Sequence, residues 1–209
     1  MHIDTDKVRA IIFDIAAAVE EQKQHLSDLD QAIGDGDHGF NMARGFGAVA
    51  QKLKDAPGAD IGEVLKTVAM TLISNVGGAS GPLYGSLFLK ASTAAKGLTE
   101  IDLQGFVALF EAGVLGVQAL GKAKLDDKTM LDVLLPALDS FKNDDAARRS
   151  LKDAFANAEK VAAAGMEKTR NIIAKKGRAS YLGERSIGHI DPGAASSHLM
   201  ISVVSKALA

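Results

Sequence analysis

Residues 7–20, KVRAIIFDIAAAVE, set Val8, Ile11, Ile12, Ile15 and Val19 at i, i+3, i+4, i+7 and i+11. That spacing draws one apolar stripe along a helix and cannot form one face of a strand. The same period returns along the rest of the chain. Met42, Phe46, Val49 and Leu53 repeat it, as do Ile61, Val64, Leu65, Val68 and Leu72. A fourth helix is expected after Pro82, with Leu83, Leu87, Phe88 and Ala91 inward, proline being suited to the first helical position. Phe106, Phe110, Val114 and Val117 mark a fifth, and Leu131, Leu134, Leu135, Leu138 and Phe141 a sixth, which Pro136 is expected to kink. The seventh runs from about Leu151 to Ala174 and the eighth from about Ala194 to Ala207. No segment alternates with period two between hairpin turns. The fold expected is all-α, about eight helices in one bundle-like domain spanning residues 1–209.

Composition narrows the function classes. Net charge is −2, whereas nucleic acid or an anionic membrane calls for a concentrated basic face, so neither is an expected partner. With no cysteine, disulfides and thiolate metal sites are excluded and a reducing compartment is the default. MHIDTDKVRA lacks the apolar core of a signal peptide, and even Phe106 to Leu120 is interrupted by Glu111, Gln118 and glycines. The expectation is a cytoplasmic domain.

Four connections are richer than turns require: Ile33 to Asn41, Asn75 to Gly85, Leu125 to Met130, and Lys175 to Gly193. The last is long for a compact domain. Its glycines, the buriable Tyr181, Leu182 and Ile187, and the closing Asp191-Pro192-Gly193 favour an ordered lid. If consecutive helices run up and down, the connections after helices one, three, five and seven share one end.

Asp30, Asp35 and Asp37 lie within eight residues, interleaved with Gly34, Gly36 and Gly39, which let the backbone fold tightly and gather the carboxylates. Two such charges ~4 Å apart repel by about 4 kcal/mol at an effective dielectric near 20. A divalent ion removes that cost, and an all-oxygen set selects Mg²⁺, Ca²⁺ or Mn²⁺. A solvated acidic turn capping the next helix is the plainer alternative. An EF-hand fails, because counting from Asp35 puts Phe40 at position 6 and Phe46 at position 12. Gly34-x-Gly36-x-x-Gly39 follows a helical, acidic segment rather than a strand, so the dinucleotide pattern is accidental.

Gly77-Gly78-Ala79-Ser80-Gly81 precedes a helix start and suits an anion, although a tight turn needs the same residues. Gly116-x4-Gly121-Lys122 is not a P-loop, since Ala123 stands where Ser/Thr is needed and the flanks are helical. Asp127 or Thr129 caps the sixth helix in the plainer reading. Arg178 suits a phosphate; His189 and Asp191 suggest a second metal or a base, although a lone histidine in a loop is more often neither. An acidic metal loop facing a glycine-rich anion loop under an arginine-bearing lid describes a metal–nucleotide site.

LDQAIGDGDHGFNM, VGGASGPLYG, GKAKLDDKTMLDV and KKGRASYLGERSIGHIDPGA, in that order, closely resemble the L subunits of bacterial dihydroxyacetone kinases over essentially the whole chain. The resemblance implies a closed up-and-down barrel of eight antiparallel helices holding ADP or ATP through two Mg²⁺ ions at one end. It implies that Asp30, Asp35 and Asp37 ligate magnesium. It also implies that His38, Gly39, Phe40, Asn41, Ala79, Ser80, Gly121, Met130, Arg178, Asp191, Pro192 and Gly193 contact nucleotide. The sugar is implied to sit on a separate K subunit. Because only the L part is present, a phosphohistidine carrier of the phosphotransferase system, the M subunit, is implied to recharge the bound nucleotide. Some L subunits also contact transcriptional regulators. An L-type module for another ketose or a fatty acid, and a nucleotide-loaded regulatory module without turnover, are the alternatives; fatty-acid modules carry threonine where this chain has His38.

Overall fold

The computed structural model describes residues 2–209. Eight α-helices follow one another among them: α1 (Thr5–Ile33), α2 (His38–Asp55), α3 (Ile61–Asn75), α4 (Ser80–Ala94), α5 (Leu103–Gly121), α6 (Leu131–Ala146), α7 (Leu151–Lys168) and α8 (Pro192–Ala207). Each packs on the next, and α8 returns to pack on α1. The stripe read from residues 7–20 is buried as expected, with Ile11, Ile12, Ile15 and Val19 in the core. Phe106, Phe110, Phe141 and Phe155 interlock on α5, α6 and α7 with ring centroids 4.7–5.5 Å apart, the edge-to-face and offset contacts that aromatic rings favour. An apolar cavity of about 150 Å³ remains inside, bordered by Ile11, Leu87, Phe106, Phe141, Met200 and Ile201.

Several boundaries differ from the sequence reading. A two-residue ribbon, β1 (Ile3–Asp4) against β2 (Glu100–Ile101), adds antiparallel pairing that no alternation advertised. α4 begins at Ser80, so Pro82 lies within its first turn, where an N–H has no intrahelical acceptor anyway. α6 continues through Pro136 to Ala146. Proline cannot donate to the Asp132 carbonyl, and the backbone of Gly165 on α7 packs closely against that oxygen. α7 stops at Lys168 rather than Ala174, giving way to a 3₁₀ turn over Thr169–Asn171 in which Thr169 Oγ1 donates to the Met166 carbonyl. α8 starts two residues early because the Asp191 carboxylate accepts from Ala194 N at 2.7 Å. The long connection is ordered as a 3₁₀ segment over Arg178–Ser186, broken at Gly183. Tyr181 and Ile187, expected to be buried there, are 87% and 44% exposed, and only Leu182 packs inward, beside Ile33, Ala174 and Ala179. α5 is long and apolar enough to cross a membrane by length and composition; it packs between α4 and α6 with Val107, Leu109, Val114 and Val117 buried.

Helix starts divide into two sets. α1, α3, α5 and α7 are capped by the side chains of Asp4, Asp60, Asp102 and Ser150. α2, α4 and α6 begin with no capping bond from the residue at the cap position. Those three starts, together with that of α8, border a single cleft.

Candidate functional site: an acidic cleft at four helix starts

The cleft, about 490 Å³, is walled by all four of the unusual connections. This volume falls within the range of small-molecule sites. Helix starts concentrate partial positive charge and unpaired N–H groups, which favours an anion between them. Ala79 and Ser80 open α4, Met130 precedes α6, Asp191, Pro192 and Gly193 open α8, and Gly121 ends α5; all line the cleft.

Asp30, Asp35 and Asp37 converge as the glycine spacing suggested, each offering a carboxylate oxygen within 4.8 Å of the others. Gly34 permits this, because a Cβ there would collide with Asp30 Oδ1, and Gly36 turns the chain at φ +77°. Asp30 is buried, and its Oδ2 accepts from Asp37 N at 2.9 Å and His38 N at 3.1 Å, tying the end of α1 to the start of α2. Burial raises its pKa, the two N–H donors oppose that, and Asp35 and Asp37 add to it. Across the cleft Arg178 Nη2 reaches Asp35 Oδ2 at 2.9 Å, drawing the long connection over the acidic loop. Both partners are substantially solvent-exposed, so the pair adds little stability. A clustered all-oxygen donor set, with one member buried beside two like charges, fits a hard divalent cation.

His38 sits deeper. Its Nδ1 is 3.0 Å from Ser80 Oγ and its Nε2 2.9 Å from Ser196 Oγ, joining α2, α4 and α8. Ser196 Oγ lies 2.6 Å from the Tyr84 hydroxyl, which also meets Ser197 Oγ at 2.9 Å. Burial lowers the His38 pKa to about 4, so the ring is neutral, and pushes Tyr84 up to about 12. This chain fixes the wall behind Ser80. Tyr84, Ser196 and Ser197 carried no sequence signal, being hydroxyls on otherwise apolar helical stripes.

Three expected residues lie outside the lining. Gly39 backs onto the Lys23 carbonyl of α1. Phe40 is 46% exposed. Asn41 is buried beneath Gly77, where its Oδ1 accepts from Arg44 Nη2 at 2.6 Å while Arg44 Nε bonds the Asn75 carbonyl at 3.0 Å. Asn41 therefore braces the Gly77–Ser80 turn from below. His189 is exposed. Neither Asp127 nor Thr129 occupies the cap position of α6, which falls to Met130. Asp127 Oδ2 accepts from Lys124 N, Thr129 Oγ1 from Leu131 N, and the buried Asp132 carboxylate from Asp126 N and Thr129 N.

An all-α domain that gathers helix starts and carboxylates around one cleft has known counterparts. The chain belongs to the DAK2 domain family, whose pattern matches residues 32–206. Within that family it is 46% identical over 200 residues to the ADP-binding subunit DhaL of PEP-dependent dihydroxyacetone kinase 1 of Listeria innocua, covering 96% of this chain and 95% of that one. It is 44% identical over 186 residues to the corresponding Escherichia coli subunit, covering 89% of each. The crystal structure of the dihydroxyacetone kinase from C. freundii in complex with AMP-PNP and Mg²⁺ superposes with a TM-score of 0.73 at 25% identity, over 95% of this chain and 33% of that one. The chain thus spans about a third of that kinase, and 32% of human triokinase/FMN cyclase, to which it is 33% identical over 187 residues.

Proposed function

We propose that this chain is the ADP-binding subunit of a PEP-dependent dihydroxyacetone kinase, a phosphotransferase whose nucleotide is held in the cleft at the starts of α2, α4, α6 and α8. The observation that carries the reading is the pairing of a three-carboxylate cluster with four converging helix starts in one cleft. Asp30, Asp35 and Asp37 hold magnesium, two ions in this reading, which neutralises charge on the phosphates of ADP or ATP. Ala79 and Ser80 offer backbone N–H groups and a hydroxyl to the phosphates, and Arg178 exchanges its bond to Asp35 for a phosphate oxygen. Pro82, Leu83, Val117, Gly121 and Met130 form the apolar wall against which adenine lies, with Asp191, Pro192 and Gly193 closing the opposite side. His38 holds Ser80 in place, and Asn41 braces the turn beneath it; Gly39 and Phe40 contribute through the backbone of the α2 start.

Residues 1–209 form one nucleotide-binding L domain, closed into an up-and-down barrel, a reading supported by the return of α8 onto α1. The bound nucleotide remains in place as a coenzyme. A separate K subunit presents dihydroxyacetone at the cleft mouth, and a phosphohistidine carrier returns the phosphoryl group to ADP. This chain's contribution is to position the donor and neutralise charge, with no covalent step of its own.

The test is reconstitution. Purified chain should retain ADP or ATP through gel filtration and phosphorylate dihydroxyacetone only when a K subunit and a phosphorylated carrier are added. Turnover by this chain alone would refute the division of labour. Turnover with K subunit and free ATP, equal to that with the carrier, would refute the coenzyme role.

A further inference from the structure

Lys128 lies in the connection between α5 and α6 with φ +60°, a left-handed conformation rare for a lysine, and its side chain is only 1% exposed. A buried ammonium is costly unless its donors are satisfied. Here Nζ donates to the main-chain carbonyls of Thr169 at 2.7 Å, Ser186 at 2.7 Å and His189 at 2.6 Å, with that of Ile172 at 3.3 Å completing the shell. Among the described residues it forms no ion pair. The cation is solvated by peptide dipoles, as a potassium ion is in a ring of carbonyls.

Those four carbonyls come from the two ends of the long α7–α8 connection, residues 169–172 and 186–189, and the stretch between them carries Arg178. Other bonds close the same loop: Gly188 N to the Arg170 carbonyl at 2.8 Å, Asp191 N to Thr169 Oγ1 at 3.0 Å, and Ala174 N to Ser186 Oγ at 2.9 Å. Lys175 N bonds the Asp127 carbonyl at 3.0 Å, beside Lys128 itself. On the other side, Lys128 itself borders the cleft together with its neighbours Thr129 and Met130. One ammonium therefore ties the wall formed by Met130 to the segment that delivers Arg178 and Asp191.

We propose that Lys128 is a positioning residue that clamps the α7–α8 connection over the nucleotide cleft through its carbonyl cage, setting nucleotide affinity without an ammonium–phosphate bond of its own. The part about affinity rests on the nucleotide reading above; the clamp itself does not. Because Nζ has three protons and all have acceptors, none is left for a phosphate.

The experiment has two parts. In ¹⁵N-lysine-labelled wild-type protein free of nucleotide, one ammonium resonance should exchange slowly with water, and it should persist when Mg²⁺ and ADP are added. Absence of such a resonance, or its loss on adding Mg²⁺–ADP, overturns the clamp; neither outcome depends on a variant folding. In Lys128→Ala, amide exchange across residues 169–191 should accelerate about tenfold or more while that of α1 to α4 stays unchanged. Mg²⁺–ADP affinity should fall about 10- to 100-fold. n-Propylammonium, which replaces the missing atoms, should restore most of both, and tetramethylammonium at equal ionic strength should restore neither. Unchanged exchange in 169–191, or equal rescue by both cations, overturns the proposal. Failure of wild-type protein to bind Mg²⁺–ADP would instead overturn the nucleotide reading, leaving the exchange and ammonium results to judge the clamp.

Discussion

Replacing Asp191 by asparagine should tilt the pH dependence of stability in nucleotide-free, metal-free protein. Burial pushes the Asp191 carboxyl from an ordinary 3.8 up to about 7. Between those values the folded chain keeps a proton that the unfolded chain releases. Its stabilising contribution is full below 3.8 and is lost as pH rises through about 7. About three units at ~1.4 kcal/mol each give at most about 4 kcal/mol, reduced to the extent that water fills the cleft beside it. His38 works in the opposite sense. Burial lowers it from 6.5 to about 4, so its contribution is present above 6.5 and is lost as pH falls through about 4, at most about 3 kcal/mol. The two slopes overlap and largely cancel in the native sequence. Asparagine keeps an oxygen for Ala194 N, preserving the cap of α8, and removes only the titration. Urea unfolding in EDTA from pH 4.5 to 8, followed by circular dichroism, should find the variant gaining on the native protein by about 2–4 kcal/mol across that range. Alone, the variant should become acid-labile as His38 dominates. Curves that run parallel within about 0.5 kcal/mol would show that the Asp191 carboxyl is not raised by burial in the fold.

Gly165→Ala should push α7 off α6, because the new Cβ collides with the backbone oxygen of Asp132; a loss of about 2–3 kcal/mol, or roughly 5–10 °C in Tm, is expected by calorimetry. Phe141→Ala removes the ring at the centre of the four-phenylalanine cluster and should cost about 3–5 kcal/mol in denaturant unfolding. Arg178→Ala should leave apo stability within about 0.5 kcal/mol, since its pair with Asp35 is exposed, yet weaken Mg²⁺–ADP binding about tenfold or more by calorimetric titration.

Much of this fold is legible in one dimension because its helices bury single stripes. Val19, Phe46, Val68, Val114 and Phe141 are read as inward from spacing alone and are buried. Boundaries fail where side chains intervene: Thr169 ends α7 early and Asp191 starts α8 early, both through hydrogen bonds that periodicity does not register. The acidic cluster is legible because Asp30, at the end of α1, and Asp35 and Asp37 lie within eight residues, with Gly34 and Gly36 among them. Tyr181 misleads because an aromatic ring in a glycine-rich loop reads as an anchor, whereas it projects into solvent. Lys128 is invisible for a related reason. A lysine in a loop reads as a solvated charge, and the carbonyls that hold it come from positions 41 to 61 residues away.

Magnesium-dependent nucleotide binding at the acidic loop is tested most directly by a calorimetric titration of ADP into the purified chain, with Mg²⁺ and then with EDTA, in native protein and in Asp35→Asn. One nucleotide should bind per chain, with affinity falling about 100-fold or more both on chelation and in the variant. ADP binding of equal strength with EDTA, or an unchanged Asp35→Asn variant, would contradict a magnesium-bridged nucleotide in the cleft.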